Sequence, residues 1–216
     1  MFDKKTVGKI IRTLIISDFF LFFAVGLLAP IFAVYILENI ENRLEVIGYA
    51  VSCYWITRVI MVIPLSRVMD NIKGEFDEYF FMIIGTFLIS AIPLFYIIAS
   101  APWHIYVLQI INGFAHSMAV PAWRIVFTNN VDKSIVGFEW SLEDVGVGIA
   151  TASSAAIGAI VADRFGFNVL FGLIFLFGTI SSLILLTLNK SKQSILRSFL
   201  GGQTHDKGPL KIDTFK

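Results

Sequence analysis

The chain has 216 residues, of which 56% are hydrophobic and only 15% are charged, and its formal net charge is +1 at pH 7. A typical soluble domain has about 25% charged residues, so the composition excludes an ordinary soluble protein and indicates an integral membrane protein. The near-neutral balance gives no sign of a nucleic-acid partner. No nucleotide-binding loop, metal-ligand spacing or nucleophile–base pair is evident, so we expect no cofactor and no enzymatic activity.

Six stretches are long and apolar enough to cross a bilayer, which takes about 20 residues. The first follows a basic N-terminus but is too long for the apolar core of a cleaved signal peptide, so we expect it to remain as a span. After residue 188 no further stretch is apolar enough. The predicted spans are 14–37, 47–69, 79–100, 104–127, 138–162 and 168–188.

These spans divide the chain into a six-helix transmembrane domain, residues 1–188, and a polar, basic tail, residues 189–216. The tail ends in the glycine-containing sequence GGQTHDKGPLKIDTFK, which favours a flexible segment. Its KQSILRSFL stretch leaves open a short amphipathic helix on the membrane surface.

Lysine and arginine are distributed unequally between the two ends of the spans. Fourteen of the 17 lie at the N-terminus, in the second and fourth loops with their flanks, and in the tail. Only Arg43 and Arg164 lie at the opposite ends, and Arg58 lies inside a span. Basic residues favour the cytoplasmic side, so both termini are predicted to be cytoplasmic, in the plasma (inner) membrane.

Two polar features stand at the middle of predicted spans. Met69 ends the span that contains Arg58, and Phe127 ends the span that contains His116. Arg58 and His116 lie the same number of residues before these two ends. At 1.5 Å per residue both are about 16 Å from the cytoplasmic end of a core that is about 30 Å thick. Gln109, Asn112, His116 and Trp123 follow one another at helical spacings, so they share one face of the fourth span.

A second set of charged residues lies nearer the cytoplasm. Asp18, Glu143 and Asp144 stand near the starts of spans one and five, and Arg124 near the end of span four. The positive end of a helix dipole also favours carboxylates at a helix start, so these acids have a structural explanation. The functional alternative is a cytoplasmic gate or a proton-coupling group.

The fifth span carries Gly146, Ala150, Ser154 and Gly158 at four-residue intervals. Such a face of small residues lets another helix approach closely.

The order and spacing of several motifs resemble the N-terminal six-helix half of a major facilitator superfamily transporter, over about residues 14–188. In LQIINGFAHSMAVPAW, the small residues and the Pro121–Ala122 pair are similar to that family's fourth helix. IGAIVADRFGFNVLF is similar to the end of its fifth helix and the start of its sixth. SRVMDNIKG keeps Asp70 in the register of the family's second-loop motif. The chain departs from the family at Gln109, where an arginine is usual.

This resemblance implies an all-α membrane protein: a major-facilitator-like half with six transmembrane helices built as a 3+3 inverted repeat. It implies that helices one and four line a central cavity, which makes the polar face and Arg58 the candidate solute site. A full transporter has two such halves. The chain is therefore either a fragment or a half-size transporter that pairs with a second copy or another half-size chain.

We expect secondary transport of a small solute by alternating access, as a homodimer. The resemblance places the small face of span five, Gly146 to Gly158, and Asp70 at the contact with the second chain. The alternative is a non-transporting membrane subunit or scaffold that keeps the fold but has a sealed cavity.

Overall fold

The computed structural model describes residues 7–71 and 76–188, and each regular element in that part of the chain is an α-helix. Helices are expected here because a backbone in a bilayer must satisfy its own hydrogen bonds. The predicted tail, 189–216, and the loop residues Lys73 and Gly74 lie outside the described residues. The helices are α1 (Lys9–Leu28), α2 (Phe32–Asn39), α3 (Leu44–Asn71), α4 (Phe76–Tyr96), α5 (Pro102–Asn130), α6 (Val136–Phe165) and α7 (Phe167–Leu186).

The predicted first span, 14–37, is not one continuous helix but two, α1 and α2, separated at Pro30. Proline has no backbone N–H, and its ring clashes with the preceding turn, so it can end a helix. Three other prolines lie inside helices without ending them: Pro64, Pro93 and Pro121. The presence of proline therefore did not by itself indicate where a helix would break.

Five of the described helices, α1, α3, α4, α6 and α7, are long and apolar enough to cross a membrane. Helix α5 has 29 residues, which is ample length, but it carries a series of polar side chains that lower its apolar character. A membrane helix of this kind must turn those side chains away from lipid. The location of the polar side chains of α5 therefore bears directly on function.

The helices pack in a defined pattern. Helix α1 packs along α6 and α7, α5 packs along α3 and α4, and α4 packs along α7. Helices α3 and α6 each have one main neighbour, so their outward faces are exposed. These faces are strongly apolar: Val59 of α3 is 64% exposed and Ile149 of α6 is 58% exposed.

Small residues allow three of these pairs to approach closely. A Cβ atom added to Gly113 of α5 would lie 2.5 Å from the Tyr54 carbonyl oxygen of α3. A Cβ atom on Gly85 of α4 would lie 2.8 Å from the Ala115 carbonyl oxygen of α5. In the α1–α6 pair, Gly158 packs directly against the Leu27 backbone.

The small face of α6 therefore has a different neighbour from the one predicted. Ala150, Ser154 and Gly158 are buried, Ser154 meets Gly26 of α1, and the nearest atom to a Cβ on Gly146 belongs to Ile15 of α1. The prediction that this face contacts a second chain is wrong, because α1 of the same chain already covers it. The spacing identified a close-packing face correctly, but it could not identify the neighbouring helix.

Candidate functional site

Arg58 lies near the middle of α3 and is half-buried. Its Nη1 donates a hydrogen bond to the Tyr54 hydroxyl, one turn earlier, at 2.9 Å. Its guanidinium carbon lies 5.1 Å from the centre of the Trp55 ring and 5.9 Å from that of the Tyr54 ring. Both distances are within the range of cation–π attraction, worth about 0.5–2 kcal/mol. Two aromatic side chains of the same helix thus hold the charge in place.

Helix α5 brings His116 to the same place. The His116 ring meets the Tyr54 ring edge to face, with 5.2 Å between ring centres. His116 Nδ1 is 3.0 Å from the Asn112 carbonyl oxygen, which can only accept, so Nδ1 carries the proton in this bond. The sequence places Arg58 and His116 at one depth, and in the structure both contact Tyr54.

The contact between α3 and α5 is fixed by backbone approach beside this group. Gly113 leaves room for the α3 backbone at Tyr54 and Thr57. The Ser117 hydroxyl is 2.8 Å from the Gly113 carbonyl oxygen and 3.3 Å from that of Arg58. The backbones of α3 and α5 therefore meet at the positions that carry Tyr54 and Arg58.

The other polar residues of the α5 face divide into two groups. Gln109 is only 7% exposed, and its Oε1 accepts a long hydrogen bond of 3.4 Å from Asn112 Nδ2. Trp123 does not join them: it stacks on Phe127 at 4.7 Å and meets Trp140 of α6 edge to face at 6.1 Å. Asn112 Oδ1 and Trp123 Nε1 are buried and have no hydrogen-bond partner within the described chain.

The acidic residues are arranged differently from the predicted pairing with Arg124. Asp18, which is 8% exposed, has its carboxyl group beside that of Glu143 of α6. Asp144 lies next to Glu143 but is exposed. Arg124 is exposed and makes no ion pair with a described residue in this conformation. The structure therefore joins two acids, not an acid and a base.

Asp70 is exposed in the last turn of α3, beside a loop outside the described residues. The sequence reasoning missed Tyr54 and Trp55 as parts of the Arg58 group. Their positions four and three residues before Arg58 were a usable signal, because such residues are neighbours on a helix surface. It also missed the pairing of Asp18 with Glu143, for which a single sequence holds no comparable signal.

Comparisons with known proteins agree with this helical arrangement. The model of the family described as Major Facilitator Superfamily matches residues 14–210. A protein named Multidrug resistance protein MdtG from Serratia proteamaculans (strain 568) is 27% identical over 184 residues, covering 81% of this chain and 43% of that protein. The protein of the same name from Citrobacter koseri is 24% identical over 166 residues, covering 76% and 40%. The chain thus spans less than half the length of these relatives.

Proposed function

This chain belongs to the major facilitator superfamily, and we propose that it carries a small solute across a membrane by alternating access. It is an integral, multi-pass membrane protein with transmembrane helices, and its family indicates transport rather than enzymatic catalysis. The observation that carries the proposal is the group of Arg58, Tyr54 and His116 in the middle of α3 and α5. A charge at that depth costs about 2.5–3.5 kcal/mol on insertion scales, and such residues usually mark a solute or ion path.

The proposed transmembrane domain has six spans, with α5 as the fourth and α1 with α2 as the first. The length of α5, 29 residues, and its position between α3 and α4 support this count. The polar side chains that set α5 apart lie against α3 or beside one another, so they need not face lipid. A solute-facing helix in a transporter is expected to have this mixed character.

We also propose a 3+3 inverted repeat, in which α1, α3 and α4 correspond to α5, α6 and α7. Exchanging the two sets turns the α1–α6 packing into the α5–α3 packing, and the α1–α7 packing into the α5–α4 packing. The α4–α7 packing is unchanged by the exchange. The observed neighbours therefore agree with the internal symmetry expected of one half of such a transporter.

A second six-helix unit is needed to complete a transport path, and we propose that it is a second copy of this chain. The relatives are more than twice as long as the part that this chain matches, which supports the need for a second unit. The exposed apolar faces of α3 and α6 are the available contact surfaces, with α3 of one chain beside α6 of the other. The alternative occupants of these surfaces are a different half-size chain and, if this chain is a fragment, the second half of the same longer protein.

The proposed solute space lies between the two units, beside Arg58, His116, Asn112 and Gln109. The carboxyl pair of Asp18 and Glu143 is the proposed coupling element, because two neighbouring carboxyl groups can take up or release a proton as helices α1 and α6 move. Arg124 remains a proposed gate residue that would meet one of these acids in another conformation. Both termini are proposed to be cytoplasmic, from the distribution of lysine and arginine.

Transport by the purified chain in liposomes is the test of this function. The printed name of the relatives refers to multidrug resistance, so the first solutes to try are drug-sized organic molecules. Exchange of labelled for unlabelled solute across the liposome membrane would support a transporter. A protein that folds and pairs in liposomes but exchanges no solute would instead support the alternative of a membrane scaffold.

A further inference from the structure

We propose that Arg58 forms a subsite for the negatively charged group of the solute, and that the solute is a small organic anion with an apolar body. This inference rests on the proposed transport function and adds to it the class of solute. It follows from the way in which the guanidinium of Arg58 is held and from the groups that surround it.

The guanidinium is oriented but only partly satisfied. Arginine carries five N–H donors in one plane. Within residues 7–71 and 76–188, its one hydrogen bond is from Nη1 to the Tyr54 hydroxyl. The rings of Tyr54 and Trp55 attract the cation without using its in-plane donors. The Nε and Nη2 donors are therefore left without a described partner.

The cation also has no counter-ion among the residues that the structure describes. The ion pairs that join two described residues both belong to Arg43, which bonds Glu41 and Glu45 at the start of α3, far along the helix from Arg58. The carboxyl pair of Asp18 and Glu143 involves α1 and α6, whereas Arg58 belongs to the α3–α5 pair. A buried or half-buried charge of this kind usually has a partner, so an anion from outside the chain is the group that this site lacks.

The geometry of the Arg58 donors without a described partner indicates which chemical class of solute the site can bind. Nε and Nη2 form one edge of the guanidinium fork, and two parallel N–H donors match the two oxygens of a carboxylate, phosphate or sulfonate. Trp55, which is 52% exposed, offers an apolar face directly beside the charge. A solute with an oxyanion at one end and an apolar ring or chain at the other can use both.

The experiment compares three solutes that share a naphthalene body: naphthalenesulfonate, naphthalenemethanol and naphthylmethylammonium. Binding to the full chain is measured by quenching of tryptophan fluorescence in phosphatidylcholine nanodiscs, with empty nanodiscs as the control for partitioning. We expect the sulfonate to bind about tenfold or more tightly than the alcohol, and the ammonium to bind most weakly.

Variants separate the subsite from general charge effects. Arg58→Gln should remove the preference for the sulfonate, and Arg58→Lys should keep part of it, because a lysine retains the charge but not the fork. Arg43→Gln is the matched control and should leave the preference unchanged. The melting temperature of each variant in nanodiscs shows whether it is folded. If Arg58→Gln does not fold, Arg58→Lys still tests the fork by its loss of part of the preference.

An unchanged sulfonate preference in folded Arg58→Gln, or in Arg58→Lys, would overturn the proposal, as would tighter binding of the ammonium by the unmodified chain. These outcomes are distinct from a failure of transport. Equilibrium binding needs no flux, so an Arg58-dependent preference without solute exchange would keep the subsite and remove the transporter. Solute exchange with no dependence on Arg58 would keep the transporter and remove the subsite.

Discussion

Asp18 of α1 and Glu143 of α6 lie with their carboxyl groups close enough to interact, in a site where Asp18 is 8% exposed. Two ionised carboxylates can only accept hydrogen bonds, whereas a proton on one of them lets such a pair form a hydrogen bond. The contact between α1 and α6 should therefore weaken when the pair loses this proton, because two adjacent negative charges repel each other. The first prediction depends on this relationship.

Asp18→Asn or Glu143→Gln should abolish solute movement driven by a pH gradient and spare solute exchange at equal pH. An amide keeps the size and polarity of the carboxyl group but cannot take up or release a proton at working pH. The measurement is flux into proteoliposomes with and without a pH gradient. Asp144→Asn is the control, because Asp144 is exposed and should affect gradient-driven flux much less. Gradient-driven flux that survives both changes would rule out this pair as the coupling element.

The second prediction concerns the contact between α3 and α5. Gly113→Ala adds a Cβ atom 2.5 Å from the Tyr54 carbonyl oxygen and 3.0 Å from Thr57 Cβ, so the helices must separate. Overpacking of this kind costs about 1–3 kcal/mol, and the melting temperature in nanodiscs should fall. Gly148→Ala is the control, because nothing lies within 4 Å of its added Cβ. Equal melting temperatures for the two variants would argue against the α3–α5 contact described above.

The third prediction concerns pairing of two chains through α3 and α6. Val59 is about as far from the end of α3 at Asn71 as Ile149 is from the start of α6 at Val136, so the two exposed side chains lie at similar depth. With Cys53 replaced by alanine, cysteines at 59 and 149 should cross-link two chains in membranes. Cysteines at positions 87 and 176, which are exposed on α4 and α7, form the control pair. Cross-linking of the control pair alone would place the contact elsewhere.

The fourth prediction concerns orientation. Asn42 lies between α2 and α3, and Lys133 lies between α5 and α6. A cysteine at 133 should react with a membrane-impermeant thiol reagent only from the cytoplasmic side, and a cysteine at 42 only from the opposite side. Intact cells and inside-out vesicles supply the two sides, again with Cys53 replaced. Reaction of both cysteines from the same side would be incompatible with the proposed topology.

The sequence predicted features that depend on spacing within one helix better than contacts between helices. The equal depth of Arg58 and His116 could be calculated because each lies at a known position before the end of an apolar stretch. The small face of α6 was also visible, but its neighbour was not: α1 covers it, and no periodicity within α6 distinguishes that helix from a second chain. The contact between Asp18 and Glu143 joins two distant segments, which a single sequence does not bring together.

The break at Pro30 has a similar explanation. Four prolines lie in predicted spans, and only Pro30 separates two helices, since the surroundings of the other three tolerate an interrupted hydrogen-bond ladder. Neighbouring helices and local adjustments supply the missing bonds in a membrane protein. The effect of each proline therefore depends on packing that the sequence does not state.

Alternating access is tested most directly by a cysteine at Asn112, in a chain whose Cys53 is alanine. Asn112 lies beside His116 and Gln109, and its Oδ1 has no partner within the described chain. The account predicts that an impermeant thiol reagent modifies this cysteine from either side of the membrane, and that a transported solute slows the reaction. A cysteine at Ala115, which is buried against α4, should resist the reagent. Resistance of the cysteine at 112 from both sides would contradict the account and indicate a sealed scaffold.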